Sequence, residues 1–201
     1  MKIALFGATG QVGRELAKLL LAKEDCLKAL VRDSGRIEAA KNLQLIEGDV
    51  LNAVAVEECI KGCDVVYILL GTRGNKATTV YSSGTINIVM AMEKFGVRRV
   101  ICLSSAGVLG YDGGFFGRIV APLTLWRPFR DKRRQLEILS VTALDWTIVR
   151  PTEIKDKPAG VLEVNYHKMG KPSISMKSLV QFLYDQIFAK DNIHKMPIIG
   201  D

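Results

Sequence analysis

Short apolar runs alternate along this chain with longer stretches of helical period. The runs KIALF (2–6), LKALV (27–31), LQLI (43–46), DVVYILL (64–70), RRVICLSS (98–105) and DWTIVRP (145–151) are largely apolar without strict alternation. That pattern predicts strands covered on both faces. Between them, Leu16, Leu19 and Leu20 recur at helical spacing and predict a helix over 11–23. Residues 53–61 read as a short helix, and 78–95 as a long one stopped by Gly96 at a natural C-cap. A further helix is expected from near 129 to near 141 and a closing one over 176–189, with two short strands near 161–166 and 172–175. Strands alternating with helices predict an α/β fold, a doubly wound parallel sheet in a single domain spanning 1–201. Residues 106–130 and 152–175 then form insertions above the strand ends, on the side where open α/β sheets bind ligands.

Composition narrows the function. Hydrophobic residues make up 48% and charged residues 24% of the 201 positions, a globular balance. The net charge is +7, of which RPFRDKRR (127–134), with five basic residues and one acid, carries +4. A basic excess favours anionic ligands. No signal peptide is expected after Lys2, and no apolar run approaches the ~20 residues that span a bilayer. The four cysteines are scattered, and Cys59 and Cys63 lack a second Cys or His pair, so they read as small core residues and no metal site is expected. A reduced, cytoplasmic chain follows.

The sharpest motif is GATGQVG (7–13), a G-x-x-G-x-x-G placed between the first strand and the first helix. Gly7 allows a tight turn, Gly10 lets backbone approach a diphosphate, and Gly13 lets the helix pack on the strand. The helix start offers free N–H groups and a positive dipole end to phosphates, and Thr9 and Gln11 can add side-chain hydrogen bonds. This is the cradle of a Rossmann-type dinucleotide site.

The end of the second strand, VRDSGR, bears on which dinucleotide. Arg32, Ser34 and Arg36 suit a 2′-phosphate, because guanidinium forks match phosphate oxygens. NADP is favoured over NAD, which Asp33 keeps open; the bland reading pairs the arginines with Asp33 or Glu38 on the surface. Asp49 after the third strand could accept a proton from the adenine amine while Val50 covers the ring. Gly71 after the fourth lies where backbone passes the cofactor, with Thr72 and Arg73 in reach of ribose or phosphate.

FGATGQVG, LVRDSGR, GDVLNA, LLGTR, GTINIVMAMEKFGVRRVICLSS and ALDWTIVRP together resemble the atypical short-chain dehydrogenases of the NmrA-like, NAD(P)H-binding group, and most of all its flavin reductase (biliverdin reductase B) type. The resemblance implies that Gly7, Thr9, Gly10, Gln11 and Val12 cradle the diphosphate. It implies that Arg32 and Arg36 hold the 2′-phosphate, and that Asp49 and Val50 flank adenine. Leu70, Gly71, Thr72 and Arg73 would line the middle of the cofactor, and Ser82 would touch it. Leu103 and Ser105 would sit by the nicotinamide ribose, with Pro151, Thr152, Glu153 and Ile154 against the far side of the nicotinamide. Gly35 and Glu153 depart from that type, which has a serine and a histidine there.

Typical members of the wider class use Tyr-x-x-x-Lys, the tyrosine exchanging the proton and the lysine lowering its pKa. Counted back from ALDWTIVRP, the lysine is Lys132 and the tyrosine position is Pro128. Tyr111 is the only tyrosine in the preceding loop. Phe129, Lys132, Leu136, Leu139 and Ala143 form one stripe, so Lys132 is expected to face inward, as a site cation or as a lysine snorkelling to water. Arg133 and Arg134 are expected to face solvent with i, i+3 and i, i+4 partners in Glu137, and Asp131 to offset Arg130 at a helix start.

Without the acid, an acceptor that takes hydride and is protonated by water fits best: a flavin-like or quinone-like small molecule, with Ser105 and Lys132 as the candidate catalytic side chains. Phe115, Phe116 and Trp126 are candidates for a wall against a flat ring, or for plain packing. The alternatives are a non-catalytic NADP(H) sensor and an epimerase or dehydratase. Neither nucleic acid nor membrane is an expected partner of RPFRDKRR or FFGRIVAPLTLW, and a monomer or weak homodimer is expected.

Overall fold

The structure is a computed structural model that describes residues 1–72, 78–109, 121–168 and 170–201, with 121–127 described by backbone alone. Tyr111, Phe115, Phe116 and Arg73 lie outside the described residues, as does the Trp126 side chain.

The order of elements begins β1 (Lys2–Phe6), α1 (Gln11–Ala22), β2 (Cys26–Val31), β3 (Leu43–Glu47), α2 (Ala53–Ile60), β4 (Val65–Ile68), α3 (Val80–Phe95) and β5 (Arg99–Leu103). It continues through α4 (Ala121–Ser140), β6 (Asp145–Pro151), β7 (Glu153–Lys155), β8 (Glu163–Asn165), β9 (Ser173–Ser175), α5 (Met176–Asp185) and β10 (Ile198–Gly200). Eight strands form one sheet in the order β3-β2-β1-β4-β5-β6-β10-β8, parallel except for the β10–β8 pair. β7 and β9 form a small parallel pair of their own.

The near-continuous apolar strands follow from helices on both faces. In β1, Ile3 and Leu5 enter a core shared with Leu16 and Leu20 of α1 and Leu179 and Leu183 of α5. Ala4 and Phe6 enter the opposite core, with Val56 of α2, Ile88 and Met92 of α3, and Leu136 and Leu139 of α4. Gly96 ends α3 at φ +69, as its position predicts. The expected doubly wound Rossmann-type sheet is present.

Three expectations need correction. The helix expected from near 129 begins at Ala121 and carries Pro128 inside it. A proline withholds only its own N–H and crowds one carbonyl a turn earlier, so a long helix held by packing can run through it. Ala143, assigned to the inward stripe, is exposed beyond the end of that helix. The last helix ends at Asp185 rather than 189, because the N–H groups of Ile187 and Phe188 turn back to Tyr184 and Asp185.

β7 and β10 have no counterpart in the hydrophobic pattern, since three residues are too few to show a period. Pairing places them, β7 with β9 and β10 with β6 and β8. The Arg150 guanidinium of β6, 1% exposed, donates to the carbonyls of Met196, just before β10, and Tyr166, just after β8, and so ties both strands to β6. No helix among the described residues is long and apolar enough to cross a membrane.

Candidate functional site

The glycine motif folds into a turn with no room for a side chain at Gly7 or Gly13. Gly7 has φ +100, and a Cβ there would lie 2.2 Å from the Leu69 carbonyl oxygen, because the segment after β4 runs directly alongside. A Cβ on Gly13 would lie 2.1 Å from the Gly7 oxygen, so α1 is seated against the turn itself. Gly10 is the N-cap of α1, which has no side-chain cap and no acidic residue in its first turn. The free N–H groups at this helix end therefore keep their positive field for an outside anion. Thr9 is half-buried and Gln11 exposed, while Val12 packs into the core.

At the end of β2, Asp33 is the N-cap of a 3₁₀ turn over Ser34–Arg36, its Oδ1 accepting from the Gly35 N–H at 3.1 Å. Arg32, Ser34 and Arg36 are all exposed. Neither arginine forms an ion pair among the described residues, so the surface pairing with Asp33 or Glu38 is not made. Asp33 thus organises the turn instead of neutralising it, and both guanidiniums are exposed to solvent.

After β3, Asp49 Oδ1 accepts from the Leu51 N–H at 2.9 Å, and the Val50 carbonyl accepts from Asn87 Nδ2 at 3.0 Å. After β4, Leu70 and Thr72 are half-buried and Gly71 exposed. Thr72 is pinned: its N–H donates to the Tyr81 hydroxyl at 3.0 Å, and its own hydroxyl lies 3.1 Å from the same oxygen.

A polar cluster missed by the sequence reading joins α3 to α4. Asp131 is 2% exposed and accepts from the Tyr81 N–H at 2.9 Å, from the Ser82 N–H at 3.4 Å and from the Ser82 hydroxyl through a short contact. It therefore caps α3 and does not offset Arg130, since its own helix begins a full ten positions earlier. The Ser82 proton is committed to Asp131. Alongside, Gln135 donates to the Thr85 hydroxyl at 2.9 Å, fully buried. The helical spacing of Asp131 and Gln135 was the available signal, masked by the neighbouring basic residues.

Lys132 faces inward as its stripe predicts. Its ammonium lies 5.3 Å from the centroid of the Tyr81 ring. Burial lowers its pKa below the usual lysine range, and the neighbouring Cys102 opposes that shift. Burial pushes the Cys102 thiol up to about 12. Arg133 and Arg134 are exposed, as is Glu137, but neither arginine pairs with it.

At the end of β5, Leu103 and Ser105 are half-buried. Ser104 is 4% exposed, and its hydroxyl has no hydrogen-bond partner among the described residues. At the end of β6, Pro151 and Thr152 are buried, the Thr152 hydroxyl donating to the Ile199 carbonyl at 3.1 Å. Glu153 is exposed and pairs with Lys155 at 3.2 Å, while Ile154 is half-buried on β7. Cys59 and Cys63 are buried, Cys63 Sγ donating to the Cys59 carbonyl at 3.3 Å, and burial raises both thiols. Among the described residues no group of His, Cys, Asp or Glu gathers as a metal site.

The tight glycine turn and the uncapped helix end fit a dinucleotide, and comparison with known proteins agrees over residues 7–190. The chain belongs to the NAD(P)H-binding family. An uncharacterized chloroplastic protein of Arabidopsis thaliana is 27% identical over 175 residues, covering 78% of this chain and 60% of its own length. This chain thus spans about three-fifths of that relative. Among solved structures, a wide-type short-chain dehydrogenase/reductase of Veillonella parvula in complex with NADP has a TM-score of 0.80 at 20% identity, covering 100% of this chain and 94% of that one. ChuY, an anaerobillin reductase of Escherichia coli O157:H7, has a TM-score of 0.82 at 19% identity, covering 100% and 97%. At these identities the structures establish the shared fold.

Proposed function

We propose that this NAD(P)H-binding chain is a reductase that prefers NADPH and delivers hydride to a flat, conjugated small molecule of flavin or quinone type. The observation that carries the reading is the pair Arg32 and Arg36, exposed and without ion pairs among the described residues, beyond an uncapped helix start. Gly7, Thr9, Gly10, Gln11 and Val12 would hold the diphosphate; Arg32, Ser34 and Arg36 the 2′-phosphate; Asp49 and Val50 the adenine. Leu70, Gly71, Thr72 and Arg73 would pass along the middle of the cofactor, and Leu103, Ser105, Pro151, Thr152, Glu153 and Ile154 would surround its nicotinamide end. The Ser82 proton belongs to Asp131, so Ser82 would act by fixing the α3 start rather than through its hydroxyl.

Bound NADPH supplies a hydride to the acceptor, and solvent supplies the balancing proton. The side chains place and shelter the reactants: the Ser105 hydroxyl is available for the ribose or the acceptor, and the Lys132 ammonium adds positive charge beside the transferring centre. Pro128 has no proton to give, which favours acceptors whose reduced anion water can protonate. The same proline supports a second reading, an NADP(H)-binding sensor without turnover.

NADPH oxidation followed at its absorbance band with riboflavin, FMN and a quinone panel tests the proposal. Turnover with one of these classes supports it. Tight NADPH binding with no turnover across the panel would establish the sensor instead.

A further inference from the structure

We propose that Tyr81 is the positioning residue of this site, one side chain that fixes the Thr72 turn through its hydroxyl and seats the Lys132 ammonium on its ring. The proposal rests on the reductase reading for its catalytic consequence, though not for its binding consequence.

Tyr81 stands in the first turn of α3 and is 4% exposed. Its hydroxyl is engaged on the β4 side, accepting the Thr72 N–H at 3.0 Å and sharing a proton with the Thr72 hydroxyl at 3.1 Å. That leaves the ring to face α4, where Lys132 Nζ lies 5.3 Å from its centroid, within cation–π range. Lys132 has no carboxylate ion partner among the described residues. The nearest acid in sequence, Asp131, is occupied by the N–H groups of Tyr81 and Ser82 and by the Ser82 hydroxyl.

Adjacent residues of α4 therefore grip one residue of α3 from two directions: Asp131 takes the Tyr81 amide, and Lys132 rests on the Tyr81 ring. This grip connects the ammonium to the turn that follows β4, so a change of position at Thr72 reaches Lys132 through a single rigid ring. The Tyr81 hydroxyl bonds to Thr72, and the contact with the cation is made by the ring.

Tyr81→Phe separates the two functions, since it cuts the tie to Thr72 and keeps the ring. Its affinity for NADP⁺ should fall about three- to tenfold, the range of one hydrogen bond, with kcat changed less than about twofold. Thr72→Val removes the hydroxyl contact and keeps the Thr72 N–H bond to Tyr81, so its loss should be the smaller, and the double variant should be no worse than Tyr81→Phe alone. Tyr81→Leu removes both functions, and kcat should fall about tenfold. Lys132→Met should then cost little more in the Leu background, while costing about tenfold in the wild-type and Phe backgrounds.

Equal losses from Lys132→Met in all three backgrounds, or additive losses from Tyr81→Phe and Thr72→Val, would overturn the proposal. If the wild type turns over no acceptor, the reductase reading fails separately, and the same cycles are read in NADP⁺ affinity by calorimetry. If Tyr81→Leu fails to fold, the isosteric Phe and Val cycle decides the outcome.

Discussion

Asp131 of α4 and Ser82 of α3, 49 residues apart in sequence, are joined by two hydrogen bonds, from the Ser82 amide and from its hydroxyl. With the Tyr81 amide as a third donor, one buried carboxylate closes the exposed start of a long helix. A helix start without such a partner leaves N–H groups unsatisfied, and a buried carboxylate without donors is costly. The relationship is thus mutual, and it fixes the position along α4 of the neighbouring Lys132.

Replacing Asp131 by Ala should therefore lower stability by about 2–4 kcal/mol, the loss of a buried, multiply bonded acceptor that also serves as a cap. Ser82→Ala, which leaves the two amides capped, should cost about 1 kcal/mol. Denaturant midpoints of the two variants check the order. A larger loss for Ser82→Ala would show that the hydroxyl, and not the cap, carries the joint.

Gly13→Ala tests the cradle. The added Cβ would fall 2.1 Å from the Gly7 oxygen, a backbone atom that cannot rotate away. Either α1 lifts from the turn or the turn opens, and both displace the N–H groups that would meet the diphosphate. The expected result is a stability loss of about 1–3 kcal/mol and an NADPH affinity reduced by at least tenfold, roughly the cost of overpacking a tight contact. Thermal melting and cofactor fluorescence titration measure the two effects separately.

The cradle was legible because its cause is local: three glycines, the strand before them and the helix after them occupy one short stretch. The Asp131 joint was not, because its partners lie on another helix and its neighbours in sequence are basic. Pro128 misled for a similar reason. Read along the chain it is a boundary, whereas within the fold α4 continues through it. Lys132 was legible from the spacing of Leu136 and Leu139, yet its ring partner Tyr81 was not, since nothing near position 81 marks it. β10 escaped altogether: its three residues are placed by pairing with β6 and β8, not by any period of their own.

Arg32→Ala separates the two nicotinamide cofactors. The side chain is exposed and without an ion partner among the described residues, so its removal should leave stability within about 0.5 kcal/mol. NADPH affinity should fall about 10- to 100-fold, as expected for one charge-assisted phosphate contact, while NADH affinity changes less than about threefold. Raising the salt concentration should weaken NADPH binding more in the wild type than in the variant. Parallel titrations with the two cofactors make the comparison, and equal losses for both would remove the 2′-phosphate assignment.

Asp201 gives a pH dependence with a definite sign. Its buried carboxylate accepts from Lys157 Nζ at 2.8 Å, from the Ser175 hydroxyl at 2.7 Å, from the Ser175 amide at 3.0 Å and from the Gly160 amide at 3.2 Å. Burial alone would raise its pKa, but the hydrogen bonds from Lys157, Ser178 and Ser175 outweigh burial and hold the carboxyl well below the usual range. A depressed folded-state pKa stabilises the fold above the unfolded value of about 4, and that contribution is lost as pH falls toward the folded value. Asp201→Asn keeps the shape and removes the charge. It should be about 1–3 kcal/mol less stable than wild type at pH 7. The difference should hold down to about pH 5 and narrow below about pH 4, as the wild-type carboxylate begins to take up its proton. Denaturant midpoints of both proteins across this range provide the measurement. A difference that stayed constant with falling pH would mean that the hydrogen bonds to Asp201 do not depend on its charge.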